Sequence, residues 1–80
     1  MTKHCLICEK AIEVNDFAPH DATVWRTQGN YGSKVFDAVS DGVFLEAFVC
    51  DDCLSRKKQF IEEVVVRHTI EVVERRAPSF

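Results

Sequence analysis

Two pairs of cysteines, each separated by two residues, constrain this chain more than anything else in it: Cys5-Leu6-Ile7-Cys8 and Cys50-Asp51-Asp52-Cys53. There is no fifth cysteine. A C-x-x-C loop presents two sulfurs about one ligand edge apart, and two such loops supply the four thiolates of a closed, tetrahedral zinc site. Cys5, Cys8, Cys50 and Cys53 are therefore the expected ligands of one Zn2+. The 41 residues between the pairs exceed the roughly 15 to 20 of compact ribbon patterns, so the intervening structure has to bring the two loops together. A clip that closes so long a loop contributes, in theory, the most. A redox dithiol would need only one pair, and iron–sulfur proteins usually space their cysteines differently.

Chain length gives such a staple a purpose. Eighty residues make one domain, expected over 1–76 with a flexible tail at 77–80 behind Pro78, and burying only roughly 60 to 65% of its unfolded surface. At 46% hydrophobic and 29% charged the composition is globular, yet a core this small is marginal. No apolar run approaches the roughly 20 residues of a membrane span, and the first residues lack a signal-peptide stretch. A cytoplasmic, reducing setting is expected, where paired cysteines hold metal more often than they form disulfides. The net charge is −3, and a zinc tetrathiolate would make the chain two units more negative. That balance opposes phosphate binding.

Along the chain, Ile12 to Phe17 alternates as a half-buried strand, and Thr23-Val24-Trp25-Arg26-Thr27 is a second, β-branched and aromatic one. Gln28 to Ser33 reads as a loop. Lys34–Val39 and Val43–Val49 flank Ser40-Asp41-Gly42, and an Asp-Gly pair between apolar runs predicts a β-hairpin. From Asp51 the period becomes helical, with Leu54, Ile61, Val64, Val65, His68 and Val72 near one stripe. Glu63, Arg67, Glu71 and Arg75 continue it as i, i+4 pairs of opposite charge. Residues 64–75 carry both signals, because their β-branched residues also read as period two. Helix is the reading adopted, with the part to Glu63 the firmer.

Helix-end amides favour thiolate charge, so the second pair sits well at a helix start, with Lys3, Lys10 and Arg56 placed to offset the negative centre. A knuckle bearing one C-x-x-C, a β-hairpin, and a helix whose first turn bears the other resemble a treble-clef zinc finger over Cys5 to Phe60. The resemblance implies a small α+β, zinc-stabilised, treble-clef-like domain: knuckle plus β-hairpin plus C-terminal helix. The chain also resembles small uncharacterised zinc-binding proteins of bacteria and phages with a Gly-Asn-Tyr-Gly-Ser loop, here Gly29 to Ser33, and a Cys-Asp-x-Cys-Leu element, here Cys50 to Leu54. One residue departs from the knuckle pattern: Glu9 stands where glycine usually relaxes the turn.

Other residues invite weaker readings. His4, His20 and His68 are too scattered for a second metal site. His20-Asp21 has the form of a base and its orienting carboxylate but no partner nucleophile. The Gly29–Gly32 stretch lacks the lysine and helix of a phosphate loop, so a turn with positive φ is expected, with Tyr31 and Trp25 as recognition residues. Arg56, Lys57, Lys58, Arg67, Arg75 and Arg76 read as a solvated helix face.

Four cysteines leave no open coordination position, so the expectation is a module and not an enzyme. It would recognise protein, as a cytoplasmic adaptor, accessory factor or inhibitor, bacterial or phage-borne. The alternative is a nucleic-acid-binding zinc finger using the basic positions of the C-terminal helix. A helix reaching Arg75 would be about 37 Å long, more than the core can cover, and its excess apolar stripe at Val65, His68, Val72 and Val73 is expected to serve a partner or a homodimer.

Overall fold

In the computed structural model, which describes residues 1–16, 18–37 and 42–80, the cysteine loops organise two small sheets. Strands β1 (Thr2–His4) and β2 (Ala11–Asn15) run antiparallel with Lys3 opposite Ile12. The turn joining them, Cys5 to Lys10, is the first cysteine loop, and a two-residue strand β3 (Ala18–Pro19) extends the sheet beyond β2. Strands β4 (Ala22–Thr27) and β5 (Leu45–Cys50) form a second antiparallel pair, in register from Ala22 opposite Cys50 to Thr27 opposite Leu45. Helix α1 (Asp51–Arg56) leaves β5 without a linker, and a 3-10 turn (Lys58–Phe60) follows. A last hairpin pairs β6 (Glu63–Arg67) with β7 (Glu71–Arg76).

Backbone bonds tie the first knuckle to the second sheet. The Leu6 amide donates to the Phe48 carbonyl at 2.7 Å, and the Asp51 amide donates to the Asp21 carbonyl at 2.9 Å. Period-two geometry places Phe48 and Cys50 of β5 with their partners Val24 and Ala22 on one face. That face meets Val14 of the first sheet across a shared cleft. Among the described residues the buried hydrophobic ones are Cys5, Ile12, Phe48, Val49, Cys50 and Cys53. Half of the core is therefore sulfur, and Val14, Ala22, Val24 and Leu54 pack around it. Three buried apolar side chains besides the cysteines, among the described residues, make a small core for a domain, and the cysteine cluster supplies the other half of it.

The expected knuckle, hairpin and long C-terminal helix are corrected in two places. Helix ends at Arg56, and the segment assigned to its continuation is the β6–β7 hairpin, so among the described residues the architecture is mostly β with one short helix and a 3-10 turn. The β-branched run Val64-Val65-Val66 loses less in a strand than in a helix. Of the charges that read as helical pairs, Glu63 pairs with Arg76 across the strands, Arg75 pairs with Glu62, and Arg67 lies opposite Glu71 in register. The Ile70 amide closes the turn onto the Arg67 carbonyl at 3.3 Å, with His68 (φ 55°) and Thr69 (φ 63°) in the left-handed region that tight hairpin turns use. His68 is a turn residue, not part of a stripe, and a dimer built on a C-terminal helix has no such helix to use.

The partner of β5 is also corrected. It is β4, not the segment at Lys34–Val39; residues Lys34 to Asp37 form no strand beyond an isolated bridge between Gly29 and Asp37. The rest of that predicted strand and most of the Ser40-Asp41-Gly42 turn lie outside the described residues, as does Phe17. The strands expected around Ile12 and Trp25 are present as β2 and β4. Among the described residues no helix is long and apolar enough to cross a membrane.

Candidate metal centre

Cys5 leaves β1, Cys8 lies in the turn to β2, Cys50 ends β5 and Cys53 lies in the first turn of α1. All four sulfurs lie within 4.8 Å of one another. The Cys8 and Cys50 sulfurs are 3.8 Å apart, the edge length of about 3.8 Å that a tetrahedron with metal–sulfur bonds of about 2.3 Å requires. Cys5, Cys50 and Cys53 are buried and Cys8 is exposed. The four predicted ligands are thus brought together as one group able to hold a metal ion, and their spacing fits zinc. When bound, such an ion supplies two positive charges to an otherwise anionic cluster.

Backbone amides converge on one of the four sulfurs, that of Cys5. Ile7 and Cys50 amides each donate to the Cys5 sulfur at 3.4 Å. Burial pushes the Cys5 thiol up, but amides of Cys8, Cys50 and Ile7 outweigh it and bring its pKa down to about 6. Cys53 goes the other way, to about 11, because it is desolvated and its thiol is hydrogen-bonded to the Cys50 and Cys8 sulfurs. Cys5 is thus biased toward thiolate and Cys53 toward thiol, whereas a divalent cation favours ionisation of all four.

Cations surround the centre. The Arg56 guanidinium donates to the Cys53 sulfur at 3.4 Å, and that bond raises its own pKa. Lys10 lies 3.6 Å from Asp52, and Asp52 first, then Cys50, raises its pKa. Of the three predicted counter-charges only Lys3 is elsewhere, in the cleft between the sheets. Glu9 takes φ 67°, the conformation for which glycine is the usual knuckle residue. His4 is no ligand: its Nδ1 meets the Glu9 carbonyl at 3.1 Å and braces that turn.

The remaining candidates are dispersed. His20 and Asp21 lie 3.3 Å apart on the exposed surface. Gly29 has φ 81°, and a Cβ there would meet the Phe36 carbonyl oxygen at 2.3 Å, so the predicted glycine turn is real and closely packed. Ser33 closes the same loop by accepting the Val35 and Phe36 amides, leaving Tyr31 97% exposed. The basic residues do not form one helix face. Arg75 and Arg76 pair with Glu62, Glu63 and Glu74, and Lys57 lies over the Phe60 ring.

Sequence reasoning missed an apolar groove. Beside the centre, Leu6, Ile7, Trp25, Val49, Leu54 and Phe60 line a mainly apolar depression. Trp25 satisfies its own indole N–H by donating to Thr23 Oγ1 at 2.8 Å, which leaves the ring available for apolar contact. The outward residues of both C-x-x-C loops were the available signal: Leu6 and Ile7 are apolar, whereas Asp51 and Asp52 are charged. Comparison with protein-family models, with curated proteins and with solved structures finds no match to this chain, so neither a treble-clef relationship nor a bacterial or phage kinship is supported by relatives.

Proposed function

We propose that the chain is a zinc-stapled protein-recognition module, an adaptor, accessory factor or inhibitor of a larger cytoplasmic protein, and that its zinc is structural. Four thiolates fill a tetrahedral ion and leave no position for substrate, which supports a binding role over catalysis. The observation that carries the reading is the Trp25 groove. Leu6 (69% exposed), Trp25 (43%) and Phe60 (77%) form an apolar surface beside the cysteine cluster, with two aromatic residues in it, the composition of a binding hot spot. Lys57 lines the same groove, and Arg56 and Lys58 flank it in sequence. The complementary partner segment carries a large apolar side chain next to carboxylates.

The test is capture of a cytosolic protein by the zinc-loaded chain and by Trp25→Ala, beside a nucleic-acid column. Loss of a hot-spot tryptophan costs roughly 2 kcal/mol or more, so a true partner is retained by the parent chain and lost by the variant at unchanged zinc content. Retention of DNA or RNA that vanishes with salt and ignores Trp25→Ala would contradict the proposal.

A further inference from the structure

The four sulfurs of the centre differ in their surroundings. Amides of Ile7 and Cys50 donate to the Cys5 sulfur, and the Arg56 guanidinium donates to the Cys53 sulfur, all at 3.4 Å. Among the described residues no N–H group donates to the sulfur of Cys8 or of Cys50. Cys50 is buried and Cys8 is exposed. Cys8 therefore combines two properties that none of the other three shares: solvent reaches it, and no donor draws charge from its sulfur. The Cys50 sulfur lies 3.8 Å away, on the opposite metal loop.

Hydrogen bonds to a thiolate stabilise its charge and make it a weaker nucleophile. Oxidation of a cysteine by a hydroperoxide selects an accessible thiolate and ends in a disulfide where a second sulfur stands beside it. Both conditions meet at Cys8. The place of the pair in the fold adds a consequence, because Cys8 belongs to the knuckle after β1 and Cys50 ends β5. Leu6 and Ile7 lie between Cys5 and Cys8, and together with Cys53 and Leu54 they line the Trp25 groove. The groove wall is thus built from the same two loops that present the sulfurs.

We propose that Cys8 is the oxidant-reactive sulfur of the centre and Cys50 its resolving partner, so that a hydroperoxide closes a Cys8–Cys50 disulfide, releases the metal and unmakes the Trp25 groove. This regulation rests on the zinc and groove readings given above. In the first step the Cys8 sulfur gives an electron pair to the terminal oxygen of the hydroperoxide. An S–O bond forms, the O–O bond breaks, and the second oxygen leaves as hydroxide or alkoxide, which takes a proton from water. The Cys50 thiolate then attacks the Cys8 sulfur: the S–S bond forms, the S–O bond breaks, and hydroxide leaves to be protonated by solvent. Sulfur loses two electrons and the peroxide gains them. Cys5 and Cys53 remain as thiolates, too few to complete a four-coordinate site.

The test treats the zinc-loaded full chain with hydrogen peroxide, reading free metal with a chromogenic chelator and the first disulfide by mass spectrometry of alkylated peptides. The expected result is one zinc released per chain as the Cys8–Cys50 link appears, with loss of the Trp25 indole resonance of the folded protein. A thiol reductant with added zinc restores both. Cys8→His, which keeps a metal ligand but removes the sulfur, slows release roughly tenfold or more, whereas Cys53→His leaves the rate near that of the parent chain. The disulfide map of the parent chain decides the matter even where a variant fails to hold zinc. A first disulfide that omits Cys8 or Cys50, or release slowed equally by both substitutions, would overturn this proposal and leave the zinc and groove readings standing. A parent chain that holds no zinc before oxidant is added would overturn the zinc reading with it, and capture by the unoxidised chain tests the groove separately.

Discussion

The backbone amide of Cys50 donates to the sulfur of Cys5 at 3.4 Å across a separation of 45 residues. This bond joins the end of β5 to the knuckle after β1, and the two sheets meet where the thiolates meet. Metal binding is therefore expected to be coupled to folding. Removing zinc with a chelator, or Cys50→Ser alone, is expected to abolish the cooperative thermal transition of the segment from β1 to α1. Structural zinc contributes on the order of 10 kcal/mol or more of apparent free energy, and the small core here offers no reserve of that size. Calorimetry with and without chelator checks it; a surviving transition in metal-free protein contradicts it.

Glu9 occupies a left-handed position with φ 67°, and its side chain is exposed. Glu9→Gly is expected to stabilise the folded protein by about 1 kcal/mol, because removal of Cβ strain outweighs the greater freedom of the unfolded chain. Denaturant titration of the zinc-loaded variant measures this directly. An unchanged or lowered midpoint would show that the knuckle carries no strain.

The turn at His68 and Thr69 is open to the same reasoning, more strongly for a β-branched residue with positive φ. Thr69→Gly is expected to increase amide protection across β6 and β7 and to leave zinc content unchanged. Hydrogen exchange read residue by residue distinguishes this local gain from a global one. Equal or lower protection would contradict the turn geometry.

Glu63 accepts hydrogen bonds from the Ser79 hydroxyl at 2.7 Å and the Ser79 amide at 3.2 Å, and is paired with Arg76. The Ser79 bonds, then Arg76, lower its pKa to about 2. A depressed carboxyl pKa favours the folded tail above the ordinary value, roughly 4.3, and the contribution disappears as pH falls through about 2. The Ser79 amide resonance is expected to titrate in this window, and Glu63→Gln to weaken the pH dependence. A Ser79 amide that titrates with an ordinary carboxylate midpoint would show that the contact does not form.

The four-cysteine cluster was legible because it is written in spacing: two C-x-x-C loops admit few other readings, and the helix start after Cys50 follows from the change of period there. The strands around Ile12 and Trp25 were legible for a similar reason, in alternation and β-branching. The C-terminal hairpin was not. Its turn is His68-Thr69, without the glycine or asparagine that marks such turns, and its i, i+4 charges serve both a helix and the cross-strand pairs Arg67 with Glu71 and Glu63 with Arg76. The β4–β5 pairing was hidden by the Asp41-Gly42 signal, which favours a local hairpin over a partner some twenty residues away. The Trp25 groove depends on that non-local pairing, since it sets β4 beside the knuckle residues Leu6 and Ile7.

The most direct measurement is titration of the metal-stripped chain with Co2+, followed by its visible absorption. Four sulfurs within 4.8 Å of one another should give the intense d–d bands of a tetrahedral tetrathiolate, saturating at one ion per chain and displaced by zinc. They should weaken as pH falls, because Cys53, raised to about 11 without metal, must lose its proton to bind. Absence of those bands, or saturation at any other stoichiometry, would contradict a four-cysteine centre as the core of this fold.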